Sequence, residues 1–253
     1  MRLHSYDWTA AVIELVIVVV GILIALQVSN WNETRLDQVR ADGYYRRLHA
    51  ELMADSQNID NTLRFWTTVA GYGQAAIAYG ETGKSVEGSN WKTVLAYYQA
   101  SQLMPFELED TTFLEMRAGG GLALVKDEKL RKMLGDYYKL SGTGITANIL
   151  RADPVYRVQI RGLTPWHVQQ YIWKNCFRQE AGGNAAKQHL VDCASPASEA
   201  EAAAVLDSYR RSDSLLENLR SWMSALSVST IVIDSARSET VSLDAEVEAA
   251  RRR

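Results

Sequence analysis

The sequence predicts an all-α protein: one N-terminal transmembrane helix that continues into an extramembrane helical bundle. Three observations carry this. Ala10 to Val28 is a nineteen-residue run in which only Glu14 and Gln27 are polar. At about 1.5 Å per residue it spans roughly 28 Å, the hydrocarbon thickness of a bilayer. Beyond it, apolar residues recur at helical spacing, with no strand-like alternation of useful length. Finally, the chain holds four prolines in 253 residues, three of them between Pro105 and Pro165, which leaves room for long helices.

The expected organisation is a short segment at 1–9, a membrane helix at 10–31 and a helical domain at 32–253. Trp8 and Trp31 bracket the apolar run, as aromatic rings at the two headgroup layers do. No small-x-small cleavage site follows the run, so it reads as an uncleaved signal anchor rather than a signal peptide. Hydrophobic residues make up 47% and charged residues 23%, enough apolar content for a packed core. A net charge of −3 gives no bulk positive field, which argues against a nucleic-acid partner.

Past Trp31, Tyr45, Leu48, Leu52, Ile59, Leu63, Trp66 and Ala70 form one face of a long helix. Gly71 and Gly73, followed by Gly80 to Gly88, are expected to end it. A second helix runs from Trp91 to Leu103 with Val94, Leu95, Tyr97 and Tyr98 inside, and Pro105 stops it. Asp110 is placed to N-cap a short helix through Met116, which Gly119-Gly120-Gly121 ends. Asp127 caps a further helix with the stripe Leu130, Met133, Leu134, Tyr137 and Tyr138, closed by Gly142. Residues 144–175 carry Ile145, Ile149, Leu150, Val155, Val158 and Ile160, then Pro165-Trp166 and an aromatic helix. Residues 178–198 are polar and read as a loop. Ser198 and Glu201 make a capping box that opens one long helix with the stripe Leu206, Tyr209, Leu216, Leu219, Met223 and Leu226.

Two blocks resemble a domain-of-unknown-function family of bacterial single-pass membrane proteins. The first is Glu14, then Gly21-Ile22-Leu23-Ile24-Ala25-Leu26-Gln27 and Asn30-Trp31-Asn32-Glu33. The second runs from Thr112-Phe113-Leu114-Glu115-Met116 through Gly119-Gly120-Gly121 to Asp127, Leu130-Arg131 and Tyr137-Tyr138. Together they cover about a quarter of the chain by residue count, and residues 145–253 match nothing in that family. The family usually opens with a longer basic segment, where this chain has only Arg2 and His4. The resemblance implies a bacterial inner-membrane anchor and supplies no catalytic residue. Val12-Ile13-Glu14-Leu15 also resembles the start of a type IV pilin. The glycine and basic residues of a pilin processing site are missing, since Trp8 and Thr9 stand there.

Candidate sites are few. His4, His49, His167 and His189 lie far apart without ligand spacing, so no metal is expected. The triple glycine lacks the preceding strand and following Lys-Ser or Lys-Thr of a phosphate loop, and reads as a helix-ending turn. Glu107, Glu109 and Asp110 are explained by a helix start. Tyr44-Tyr45, Trp91, Tyr97-Tyr98, Tyr137-Tyr138, Trp166 and Trp173 can line a ligand pocket, but such residues are more often plain core. The expectation is therefore no cofactor and no enzymatic activity. The favoured function is an anchored accessory or scaffold protein that assembles with itself or with a membrane complex. A ligand-sensing module acting through a partner is the alternative, and a pilin-like subunit the second alternative. With segment 1–9 in the cytoplasm too short to form an output domain, the scaffold is preferred.

Three further expectations concern placement. The domain is expected in the periplasm, although Arg35, Arg40, Arg46 and Arg47 outnumber Arg2 and so favour the reverse by the positive-inside rule. Cys176 and Cys193 are expected to form a disulfide, worth roughly 3 kcal/mol in the chain-entropy model. Glu14, Val18, Gly21 and Ala25 fall on one helix face, where Gly21-x-x-x-Ala25 lets a second backbone approach. Glu14 costs up to about 3 kcal/mol facing mid-membrane lipid, and is hydrogen-bonded or paired if it faces a neighbouring helix.

Overall fold

The computed structural model describes residues 6–104, 108–143, 153–180 and 187–252. Eight α-helices and one hairpin are found among them. The first helix, α1 (Tyr6–Thr82), is 77 residues long and unbroken. At about 1.5 Å per residue it is a rod of roughly 115 Å. Its N-terminal part is fully exposed and is long and apolar enough to cross a membrane. Its C-terminal part, from Tyr45 onward, forms one wall of the core.

The opposite wall is the last helix, α8 (Leu215–Arg251), which runs antiparallel to α1. Buried positions follow one another at alternating spacings of three and four on both: Tyr45, Leu48, Leu52, Asp55, Ile59 on α1, and Leu219, Trp222, Leu226, Ser229, Ile233 on α8. That is the spacing of a coiled-coil seam. Ion pairs mark the antiparallel register from end to end. Arg251 meets Asp42 at 3.3 Å, His49 meets Asp244 at 2.6 Å, Arg237 meets Asp60 at 2.9 Å and Arg220 meets Glu81 at 2.7 Å. Exposed pairs of this kind contribute little energy each, so apolar burial holds the seam and the charges select its register.

Helix α1 does not end at Gly71 or Gly73. A Cβ on Gly73 would lie 2.1 Å from Met223 Sδ, and one on Gly80 would lie 2.8 Å from Leu216 Cδ1. These glycines sit inside the helix where the Met223 and Leu216 side chains pack onto it, a use distinct from breaking a helix. The helix stops at Gly83, whose φ of +72° is the left-handed conformation and whose N–H bonds Tyr79 O at 2.8 Å.

Two clusters fill the space beside the seam. The one nearer the membrane run is built by α3 (Thr111–Ala118) and α4 (Glu128–Thr143), with Phe113, Met116, Leu130, Leu134, Tyr137 and Tyr138 against Leu48, Leu52, Leu243 and Val247. Asp127 caps α4 as expected, accepting from Leu130 N at 3.2 Å. Asp110 makes no such bond at the start of α3. Glu51, from α1, accepts the Thr112 N–H at 3.0 Å and its hydroxyl at 2.6 Å, so α1 itself caps α3.

The far cluster surrounds α2 (Asn90–Gln99), buried along nearly its whole length. This helix is shorter than its apolar pattern suggests. The chain turns off at Ala100, whose carbonyl accepts from the Trp222 indole at 2.8 Å, while Arg157 donates to Ser101 O at 2.6 Å. Around α2 lie α5 (Val155–Leu163), α6 (Trp166–Asn175) and α7 (Glu199–Arg210). Ile145, Ile149 and Leu150 lie outside the described residues. The Ser198–Glu201 capping box is present at the start of α7. The single long helix expected after it is instead two, α7 and α8. Gln159 donates to Ser212 Oγ at 2.7 Å and Ser214 Oγ at 3.0 Å, and accepts from Asn218 at 2.8 Å, which fixes a corner between them.

The segment read as a loop contains two short antiparallel strands, β1 (Phe177–Glu180) and β2 (Lys187–Leu190), with Phe177 opposite Leu190. The Cys176–Cys193 disulfide closes the base of this hairpin, with Cα atoms 5.2 Å apart. Its backbone is tied to α2. Gln99 Nε2 donates to Cys176 O at 2.9 Å, and the Trp91 indole donates to Cys193 O at 3.0 Å. Intact protein alkylated without reduction should therefore show no labelled thiol by mass spectrometry. Cys176→Ser with Cys193→Ser should lower stability by about 2–5 kcal/mol in denaturant titration. Two free thiols in protein from intact cells would refute the bridge.

Candidate functional site

On a straight helix of 3.6 residues per turn, residues about a whole number of turns apart share a face. Glu14, Val18, Gly21 and Ala25 do so on α1, and all are exposed. A Cβ added to Gly21 would meet nothing within 4 Å. The residues facing the core, such as Ala41, Leu48 and Leu52, lie about half a turn away from this face. The domain therefore sits against one side of α1 from about Asp37 onward, and residues 10–36 are exposed on every side. Trp8 and Trp31 are both exposed on the same helix. Their 23-residue separation corresponds to roughly 34 Å, enough to span the hydrocarbon layer.

Two features escaped sequence reading. The first is a groove of about 740 Å³ at the membrane-proximal end of the domain, lined by Asp37, Asp42 and Tyr45 of α1, Lys126, Asp127 and Arg251. It exists because α8 returns its C-terminus to the beginning of the domain, a juxtaposition between residues far apart in the chain.

The second is a buried acid. Asp55 occupies a core position between Leu52 and Ile59 and is inaccessible to solvent. One carboxyl oxygen accepts Glu109 N–H at 2.8 Å, and the other lies 2.9 Å from Tyr137 Oη, which is in turn 2.9 Å from Thr240 Oγ1. Thr240 donates to Ala236 O at 2.8 Å. Burial raises the Asp55 carboxyl to about 7, with the two hydrogen bonds opposing and the Glu109 and Glu51 carboxylates adding to the rise. Burial likewise pushes Tyr137 and Tyr138 well above the ordinary phenol range. Both carboxyl oxygens of Asp55 accept, one from the Glu109 N–H and one from the Tyr137 hydroxyl. Tyr137 donates to the Asp55 carboxyl, Thr240 donates to the Ala236 carbonyl, and the two hydroxyls lie within hydrogen-bond distance of each other, which links three helices through one buried polar cluster. The signal in the sequence was an aspartate standing within an apolar stripe.

Of the aromatic residues considered for a pocket, Tyr45, Trp91, Tyr97, Tyr98, Tyr137 and Tyr138 are core, while Trp166 points outward. The fold thus defines a helical domain carried on an N-terminal helix that is long and apolar enough to cross a membrane. No protein-family model, curated protein or solved structure matches the chain.

The raised Asp55 carboxyl has a signed consequence for stability. An unfolded aspartate titrates near ~3.9, so between there and about 7 the folded chain holds the extra proton. The stabilisation is complete below the unfolded value and is lost as pH rises through the folded one, at up to about 1.4 kcal/mol per pH unit. Asp55→Asn keeps the shape and removes the titrating group. Its denaturation midpoint should lack the decline that the parent shows between about pH 5 and 7. A variant with the parent's slope would show that Asp55 does not titrate there.

Proposed function

We propose that this chain is a membrane-anchored helical scaffold or accessory protein of the bacterial inner membrane, without enzymatic activity, that assembles with itself or with a membrane protein complex. The observation that carries this reading is the unbroken α1. The membrane run enters the core of the domain without a hinge, so the domain is held at a fixed angle and height. A rigid mount with one bare side suits a protein that presents surfaces to neighbours in the same membrane. The resemblance to single-pass membrane proteins of the GILIALQ…NWNE type supports the anchor.

The domain is proposed to lie in the periplasm. A disulfide is the expected state of a cysteine pair outside the cytoplasm, which supports this side. Three of the four arginines that favour the reverse orientation are paired: Arg40 with Asp37 at 2.7 Å, Arg46 with Asp42 at 3.2 Å and Arg47 with Glu115 at 2.9 Å. The ligand-sensing alternative draws support from the membrane-proximal groove, whose mixed charges suit a small zwitterionic ligand. For the pilin-like alternative a strand-rich head would be needed, and the described domain is helical apart from one hairpin.

Two measurements test the reading. Mass photometry of the full chain in lipid nanodiscs should give a protein mass at a multiple of 28.3 kDa, or a larger defined complex when the protein is extracted from its own membrane. A monomer in both preparations would overturn assembly. Alkaline phosphatase fused after Arg253 should be active in cells, and an inactive fusion made at normal levels would place the domain in the cytoplasm.

A further inference from the structure

The bare face of α1 does not stop at the membrane boundary. From Glu14, Asn32 is 18 residues on, Leu36 is 22, Val39 is 25 and Gly43 is 29. These offsets are about 5.0, 6.1, 6.9 and 8.1 helical turns, so the four continue the line of Glu14, Gly21 and Ala25. Leu36 and Val39 are 46% and 61% exposed beyond the apolar run, in a segment flanked by charged residues. Water is a poor environment for such a pair, and a Cβ on Gly43 would meet nothing within 4 Å. The domain lies on the other side of the helix, as the burial of Tyr45 and Leu48 shows.

We propose that a second copy of this chain docks in parallel on this face from Glu14 to Gly43, so that the contact within the membrane continues outside it through Leu36 and Val39. The inference rests on the self-assembly reading above and adds to it the extramembrane half of the interface. Three arguments select a second copy as the occupant. Two chains inserted through the same run point the same way at the same depth, so each residue of the face meets its own counterpart. The contact from Glu14 to Gly43 is about 44 Å long and a helix is about 10–12 Å wide, giving roughly 500 Å² from each copy. The total of about 1,000 Å² reaches the lower limit of a specific interface, which neither the membrane half nor the outer half attains alone.

The third argument is charge. Glu33 and Arg35 flank the face on opposite sides, and among the described residues neither makes an ion pair or a side-chain hydrogen bond. Residues two apart on a helix do not face each other, so they cannot neutralise one another in one copy. Across a parallel two-fold, Glu33 of the second copy stands about 3 Å along the axis from Arg35 of the first, within reach of the long arginine side chain, and the pair forms twice.

The test uses the full chain in native membranes. The native disulfide occupies both cysteines, so single added cysteines can be oxidised selectively. Leu36→Cys and Val39→Cys should give linked dimers in several-fold higher yield than Thr34→Cys and Gln38→Cys, which lie on other faces. Equal yields, or none at positions 36 and 39, would overturn the proposal. Val18→Cys and Ala25→Cys form the second arm. Linkage there but not at 36 and 39 leaves membrane self-assembly standing and removes only its extension; linkage at neither pair removes both. In the Val39→Cys background, Arg35→Glu should reduce the dimer several-fold and Arg35→Glu with Glu33→Arg should restore it. A double exchange that stays as low as the single one would overturn the pairing across the two-fold.

Discussion

The antiparallel seam between α1 and α8 is the contact on which the remaining architecture depends. The helices α2, α3, α4 and α5 pack directly against one or the other of these two, α6 and α7 pack on α2, and the two clusters beside the seam occupy different stretches of it. Gly73 and Gly80 leave space that the Met223 and Leu216 side chains occupy. Packing of that density is sensitive to volume in a way that a solvated helix surface is not.

Polar residues punctuate the seam. Asp55 and Thr62 on α1, with Ser229 and Thr240 on α8, are all buried within otherwise apolar stripes. A regular heptad seam tolerates sliding by whole heptads, because one apolar layer resembles the next. A buried polar group that finds its partner in only one alignment removes that freedom, at some cost in stability. The bond chain from Asp55 through Tyr137 to Thr240 ties α1, α4 and α8 together in this manner. Glu51 acts one turn earlier, where it caps α3 from outside.

The seam also explains how the domain meets the apolar run. Since α8 runs back along α1, the chain's last helical residues come to lie beside Asp42, a short distance beyond Trp31. The bundle is thus mounted on one flank of the anchor, with the opposite flank uncovered from the apolar run to beyond Val39. This geometry follows from the packing and not from any single motif.

What the sequence by itself determined was everything set by local periodicity and local chemistry. The apolar run Ala10–Val28, the helical stripes around Leu48 and Leu134, the Ser198–Glu201 box and the Asp127 cap are each decided within a few residues of chain. Helix class and the membrane run were therefore legible, as was the cysteine pairing, since two cysteines allow one bridge. The tertiary structure alone decided the roles of residues whose meaning depends on what lies opposite. Gly73 and Gly80 have the composition of a helix end, yet α8 makes them contact points. The Ser212–Ser214 corner is held by Gln159 from another helix, and the short strands of the hairpin lack the length to show alternation. Asp55 acquires its role only from Tyr137 and Glu109, which lie far along the chain. The bare side of α1 could not be assigned from the sequence, because a helix has no outer face until its neighbours have chosen the inner one.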